Sequence, residues 1–472
     1  MAHPEVRTSN DAPASRETVT RPTPLNRGSA QLVVVTDRPP VEAQQGRVAP
    51  GAGLPDDPAL VALQAAGARS RGAWIHREGE RPPAVPVRHR GVAPSVAGAH
   101  DVGHAQTLWP LWHGLGPGRY DPAWRHAFRS VNADFVTAAA QEAALGATVW
   151  FHGHTLTLAP ALLRRRRPDL RIGLTLQAHL PSADTFRTLP LAGELVHGML
   201  GADLIGFPTA LAAENFLRLV RDIGESVPSV SVSPTSVDTP AIASLVLGRG
   251  ESQAAALRER LGNPETVILS VNPPDPNQGI ERRLLAVGEA FRNGRLDPAR
   301  TVMVQVILGR SDSVDGAARA AAHVNGQHAV IGRPCVHLVV DRPDLAERVA
   351  LYRAADVLLA TPSREGTTIS ALEFVAAARF ESSLVLSSLS GTASVLTDAH
   401  RVNPHDDDAV QNALVTALTT SLADRRERMQ RMRQYVAQYN TFTWSEQFLR
   451  TLRAVPRRPS GVDAVTAVPG RR

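Results

Sequence analysis

Lysine is absent from this chain of 472 residues, and all 51 of its basic side chains are arginine. Any site that needs a compact ammonium group must therefore do without one. Alongside abundant alanine, glycine and proline, the substitution is most simply a coding bias. Cysteine is reduced to Cys335, which excludes a disulfide framework and fits a reducing cytosol, so a cytoplasmic location is expected. Cys335 precedes the apolar run Val336–Val340 and reads as a buried structural thiol. The formal net charge is +6, but aromatics are only 4% and are not interleaved with the arginines, so no nucleic-acid partner is expected. No apolar run approaches the roughly 20 residues of a membrane span. The polar, Pro-rich start has no hydrophobic stretch behind basic residues, so neither a membrane partner nor a secretory signal is expected.

What is present is an alternation of short apolar runs with helical periods. The length suggests two domains with tails. Residues 1–30 and 456–472 carry too few large apolar groups to order themselves and read as disordered tails. Between them, Leu32–Val35 reads as a buried strand, Ala59–Ala66 as a helix, Asp121–Leu145 as a long helical region and Val149–His152 as a strand. Ala192–Leu200, Leu204–Gly206 and Thr209–Ile223 continue the alternation, and the low-order patch Gly224–Thr239 closes the first domain, residues 31–238. The second, residues 239–455, restarts at the strand Val267–Val271 and continues through Val302–Ile307, Val336–Val340, Val357–Ala360 and Leu384–Ser387. Its last run, Ala409–Leu449, is largely helical. This pattern predicts an α/β protein with two doubly wound parallel sheets facing a cleft.

The stretch Val149–Pro190 is the most informative. It is a strand, a helix ending in Arg164–Arg167, and a second strand at Ile172–Leu176. Ligands in such units sit outside the carboxyl ends of the strands. The residues there are His152-Gly153-His154-Thr155 and Gln177-Ala178-His179. Two histidines one residue apart also suggest metal ligation, but no third ligand stands at a sensible spacing, so no metal is expected.

Several motifs in order resemble one family. They are Val33-Val34-Val35-Thr36-Asp37-Arg38-Pro39-Pro40, Gly51-Ala52-Gly53-Leu54, Leu108-Trp109-Pro110-Leu111-Trp112-His113 and Gly201-Ala202-Asp203-Leu204-Ile205-Gly206-Phe207. In the second half they are Leu351-Tyr352-Arg353-Ala354-Ala355-Asp356-Val357, Thr361-Pro362-Ser363-Arg364-Glu365-Gly366, Leu386-Ser387 with Gly391, and Val402-Asn403-Pro404. Over roughly residues 32–450 the chain resembles glycosyltransferase family 20, the trehalose-6-phosphate synthases. The resemblance implies a GT-B fold of two Rossmann-like domains, acceptor amino-terminal and donor carboxyl-terminal. It also implies metal-free transfer of glucose from a nucleotide sugar such as UDP-glucose to glucose 6-phosphate, with retention and no separate cofactor.

It implies site residues as well. On the acceptor side Arg38 stands where the family clamps the acceptor phosphate, a task that suits a guanidinium; a surface salt bridge is the alternative. Trp109 matches an acceptor-site tryptophan, or is a core aromatic. His100 stands where a Tyr is expected, and His154 is the nearby polar group. On the donor side Gly53 lies in the Gly-rich loop that approaches the donor. Glu365, Gly366, Thr367 and Thr368 form a turn whose following helix presents N–H groups to a phosphate. Glu373 matches the carboxylate that binds the donor ribose. Glu365 as a helix cap and Glu373 as a solvated helix residue are the alternatives.

The departures concern charge. The family's acceptor-contacting Asp is Gly153, and its catalytic His is Gln177, which hydrogen-bonds but cannot carry a proton. The two cations that hold the donor diphosphate are Pro273 and Gln278, and Arg310 stands one position from another donor-side Arg. Losing two charged hydrogen bonds at roughly 1.5–3 kcal/mol each weakens donor binding by about 10²–10⁴. Gln177 and Arg310 are thus the candidates left for the catalytic positions. Two readings follow: a retaining glycosyltransferase with substituted catalytic residues, or an inactive paralogue that binds a sugar phosphate or a partner protein and regulates. A third, a binding module that shares only the scaffold, has least in its favour. A homo-oligomer, or a hetero-oligomer with an active synthase, is the expected assembly.

Overall fold

The computed structural model describes residues 28–37, 58–78, 87–116, 118–309 and 314–458. Among these, two all-parallel sheets are formed. The first contains β1 (Ala30–Thr36), β2 (Ala73–Arg77), β3 (Arg88–Val92), β4 (Ala143–His152), β5 (Arg171–Thr175), β6 (Leu204–Phe207) and β7 (Ser229–Val232). Their spatial order is β3-β2-β1-β4-β5-β6-β7. The second contains β8 (Thr266–Asn272), β9 (Thr301–Leu308), β10 (Val336–Asp341), β11 (Val357–Ala360), β12 (Ser383–Ser387) and β13 (His400–Val402), in the order β10-β9-β8-β11-β12-β13. The order reverses between β1 and β4 and again between β8 and β11. These are the switch points at which open α/β sheets leave a crevice.

Each sheet buries both faces, which explains strands that read as continuous apolar runs rather than alternating ones. In β1, Val33 and Val35 enter a large core with Phe128, Phe135 and Phe151. Leu32 and Val34 point the other way, onto Trp74, Trp150 and the helix Thr441–Ala454. That helix is the last among the described residues. Trp444 and Phe448 lie 5.5 and 4.6 Å, centroid to centroid, from Trp150, and Arg171 Nη1 donates to the carbonyls of Leu452 and Val455. The sequence places residues 441–454 with the second sheet, but they cover a face of the first. Gly173 is small for this reason: a Cβ there would fall 2.7 Å from Leu452 Cδ2.

One tie recurs in both sheets. Asp203, just before β6, accepts the N–H of Ile172 at 2.7 Å and that of Arg458 at 2.6 Å. Arg164 Nη2 lies 2.8 Å from its Oδ2, a charge contact without hydrogen-bond alignment. Asp356, just before β11, accepts the N–H of Val267 at 2.8 Å and pairs with Arg258 and Arg379. In each case a carboxylate satisfies the first free donor of the neighbouring strand, which would otherwise be buried unpaired.

Three elements depart from the sequence reading. The helix expected to reach Leu145 ends at Glu142. Residues 143–152 are all strand, because Ala143 already pairs with Ala30 across a bulge and Gly146 takes a positive φ of 70°. The patch Gly224–Thr239 is not without order: Ser229–Val232 alternates with period two and forms the edge strand β7 beside β6. Strands β2, β3 and β13 carried no signal that separated them from loops. Of the expected tails, residues 28–30 and 456–458 are described and the remainder lies outside the described residues.

Asp203 is 1% exposed, so replacing it with Ala leaves Arg164 and two backbone donors buried without their carboxylate. Asp203→Ala is expected to destabilise the protein by about 3–5 kcal/mol, read as a lower midpoint in urea followed by tryptophan fluorescence. An unchanged midpoint would show that the tie holds nothing together.

Candidate active-site cleft

On the first sheet, β4 delivers His152, Gly153 and His154. His152 is buried, with Nδ1 2.8 Å from Thr175 Oγ1. Gly153 takes φ 104°, a conformation that L side chains rarely adopt, and donates its N–H to Thr175 O at 2.9 Å. The glycine found where the resemblance implies Asp thus belongs to the backbone path of this loop. His154 follows in the turn His154–Leu156, and its Nε2 lies 2.7 Å from Nε2 of His104, so one ring donates and the other accepts. Trp109 joins this group, its ring 5.7 Å from His154 and 3.7 Å from His113. His100 does not join the cleft. It is fully buried, stacked on Phe128 at 5.6 Å, beside the Asp37–Arg77–Asp101 ion pairs.

Burial keeps the nearby histidines uncharged. Desolvation lowers His152 and His113 to about 4. His154 falls to about 3, through desolvation first and then neighbouring histidines, against a smaller upward pull from Asp37. His179 falls to about 4 by desolvation and by Arg364, whose Nη1 lies 3.0 Å from its Nε2. His154 and His179 therefore do not supply the charge that Gln177 lacks. Gln177 Oε1 accepts the N–H of Thr235 at 3.3 Å, while its Nε2 is buried without a partner. Both of its polar ends are neutral, and it faces the cleft.

On the second sheet the loop after β8 runs from Pro273 through the turn Pro276–Gln278 to Gly279, whose positive φ of 62° starts the helix Ile280–Arg292. Gln278 is buried and bridges two groups. Asn272 Nδ2 donates to its Oε1 at 2.8 Å, and its Nε2 donates to Glu365 Oε1 at 3.0 Å. Behind them lies a residue that the sequence did not single out. Arg283 is 1% exposed and donates to Asn272 Oδ1 at 2.7 Å and Thr361 Oγ1 at 3.1 Å. A fully buried guanidinium thus reaches Glu365 through two amides. Burial pushes Glu365 up, against hydrogen bonds from Thr368 and Gln278 and the field of Arg283, and it pushes Arg283 down to about 9. Only the charge pattern of a folded core shows this cation; an Arg early in a helix carries no signal of its own.

Glu373 is also buried. Its oxygens accept from Arg348 at 2.8 and 3.0 Å and from Tyr352 Oη at 2.8 Å. It is no solvated helix residue, and both its oxygens are already engaged at the cavity wall. Gly366 brings the two halves together: a Cβ there would fall 2.2 Å from Gln177 O. Thr367 and Thr368 stand beside it at the start of the helix Ile369–Ala377, where Thr368 Oγ1 donates to Glu365 Oε2 at 2.6 Å. A cavity of about 160 Å³ remains, lined by Trp109, Gln177, Gln278, Glu365, Thr368 and Glu373 among others. Arg38, Gly53 and Arg310 lie outside the described residues.

The family model described as Glycosyltransferase family 20 matches residues 98–454. A trehalose-6-phosphate synthase from Mycobacterium avium is 34% identical over 480 residues, covering 90% of this chain and 96% of that protein. The E. coli enzyme solved with UDP-2-fluoro glucose superposes with a TM-score of 0.80 at 24% identity, over 90% of this chain and 100% of that one. A trehalose-phosphate synthase from Burkholderia xenovorans in complex with glucose-6-phosphate gives 0.79 at 23%, over 89% and 99%. The two parallel sheets are thus those of a GT-B fold.

The four depressed histidines carry a pH signature. Each has an ordinary value of 6.5 and a folded value of about 3 to 4. Between those values the unfolded chain binds protons that the fold refuses, so stability is full above 6.5 and falls as pH drops. The slope is up to about 1.4 kcal/mol per pH unit for each group. The melting temperature is expected to fall markedly from about pH 7.5 to about pH 5.5, before most carboxylates titrate. A flat profile over that range would contradict the buried, neutral assignment.

Proposed function

The chain belongs to glycosyltransferase family 20, and we propose that it is a trehalose-6-phosphate synthase-like protein whose cleft takes a sugar phosphate and a nucleotide sugar without ordinary glucosyl transfer between them. Two of its structural relatives are held with a UDP-glucose analogue and with glucose-6-phosphate, and the same two ligands are the first to test here. Transfer breaks the bond from the anomeric carbon to the diphosphate, whose leaving oxygen gains negative charge. It also moves the proton of the acceptor hydroxyl. Positioned cations and hydrogen-bond donors at the leaving group are usually the largest single catalytic contribution.

The donor wall carries this reading. At the position where the family holds a Lys stands Gln278, a neutral amide already shared between Asn272 and Glu365. The ionisable groups lining the cavity among the described residues are Asp275, Glu365, Glu373, Arg348 and Tyr352, and Arg348 and Tyr352 both bond to Glu373. A diphosphate placed there meets more carboxylate than guanidinium, and Arg283 lies behind the wall. Gln177 can orient a sugar hydroxyl but cannot take its proton. What remains suits binding: the Trp109 face, the Gln177 amide, and the N–H groups at the start of the helix Ile369–Ala377.

A second reading is a transferase with a changed donor. It is favoured by the firm anchoring of Glu373, which keeps a wall of the nucleotide pocket in shape. One assay separates them: nucleotide release from UDP-glucose or GDP-glucose with glucose 6-phosphate, beside thermal-shift titrations of each ligand. Stabilisation by glucose 6-phosphate with no nucleotide release is expected, and turnover near the usual enzyme range of about 1–10³ per second would sink the inactive reading.

The companion variant is Pro273→Arg with Gln278→Lys. Restoring two charged hydrogen bonds is expected to tighten UDP-glucose by about 10²-fold or more, measured by calorimetry. If donor affinity does not rise, the account of the donor wall fails.

A further inference from the structure

A second cavity, of about 290 Å³, lies where the chain passes between the two sheets. One wall is the segment 231–236 that leaves β7, a second is the pair Thr367 and Thr392, and a third is the helical stretch from Tyr435 to Thr451. The two crossings of the chain meet here, since the N–H of Thr441 donates to Val237 O at 3.1 Å.

Its chemistry is distinctive. Ser231, Thr235, Ser236 and Thr367 all line it, and the side-chain oxygen of each is buried without a hydrogen-bond partner. Thr235 and Ser236 are 6% and 4% exposed. A buried hydroxyl left unpaired costs about 1–3 kcal/mol, so four around one cavity call for something that bonds to them. Among the described residues no charged side chain lines it, while Trp444, Phe448, Tyr435 and Tyr439 supply aromatic faces. Convergent neutral hydroxyls on aromatic walls suit a ligand with several hydroxyls of its own and an apolar face. Among the described residues a phosphate would find no cation there.

We propose that this cavity is a binding site for a small uncharged polyhydroxylated molecule of the size of a free sugar, separate from the sugar-phosphate site of the cleft. It borders the cleft, because the N–H of Thr235 holds Gln177 Oε1.

The test uses the full chain with glucose and maltose as neutral probes and glucose 6-phosphate as the charged one. Hydrogen exchange on the unmodified protein is expected to slow in 231–236 and 435–451 with a neutral sugar. Calorimetry is expected to give binding that weakens about tenfold in Thr235→Val with Ser236→Ala, two neutral hydrogen bonds being lost, and persists in Trp109→Ala. Thr451→Trp, which leaves the hydroxyls in place and narrows the cavity, is expected to abolish it and serves if the double variant does not fold. Three results would overturn the proposal: no binding of either neutral sugar, protection confined to the loops around Trp109 and His154, or glucose 6-phosphate protecting 231–236 as well as glucose does.

Discussion

The two sheets face one another across a contact of backbone on backbone, Gly366 against the peptides of Gln177 and Ala178. Gly366 has no room for a side chain there. Because the contact joins the exit loop of β5 to the exit loop of β11, it sets the two switch points opposite each other and fixes the width of the cleft between them. Arg364 reaches across to His179 only because of it. The same closeness brings Gly391 onto Gly366, where a Cβ would lie 2.1 Å from the Gly366 carbonyl oxygen. Two glycines in succession thus decide where every other group of the cleft can stand.

Within the cleft, Glu373 is held by Arg348 and Tyr352, and Glu365 by Gln278 and Thr368. The imidazoles around His154 and Trp109 are buried and neutral, Gln177 and Gln278 present neutral amides, and the cation Arg283 is kept a layer back. Asn272, Gln278, Glu365 and Thr368 form one chain of hydrogen bonds along the donor side.

How far this was legible from residues alone depends on the kind of signal. Strands buried on both faces, such as β8 and β11, announce themselves as apolar runs, and the Gly201–Phe207 motif keeps its letters because Asp203 ties two strands there. That Gly153, Gln177, Pro273 and Gln278 stand where the resemblance implies other residues is read from the family pattern. The bonds that these residues make are not, since Gln278 needs Asn272, Glu365 and Arg283, residues up to 87 positions from it in sequence. Helix preference also misled at residues 143–145, where alanines form a strand because the sheet offers a partner. His100, read as an acceptor group, lies instead in the core against Phe128.

The helix Thr441–Ala454 has a consequence for the order in which this protein takes shape. Chains are made from the amino end, and domains usually fold as they emerge from the ribosome. Here the face of the first sheet that carries Trp74 and Trp150 waits for Trp444, Phe448 and Leu452, and Arg171 waits 281 residues for the carbonyl of Leu452. The first sheet is thus left with an open apolar face throughout synthesis of the second. The helix Thr441–Ala454 closes that face only after the second sheet has been made.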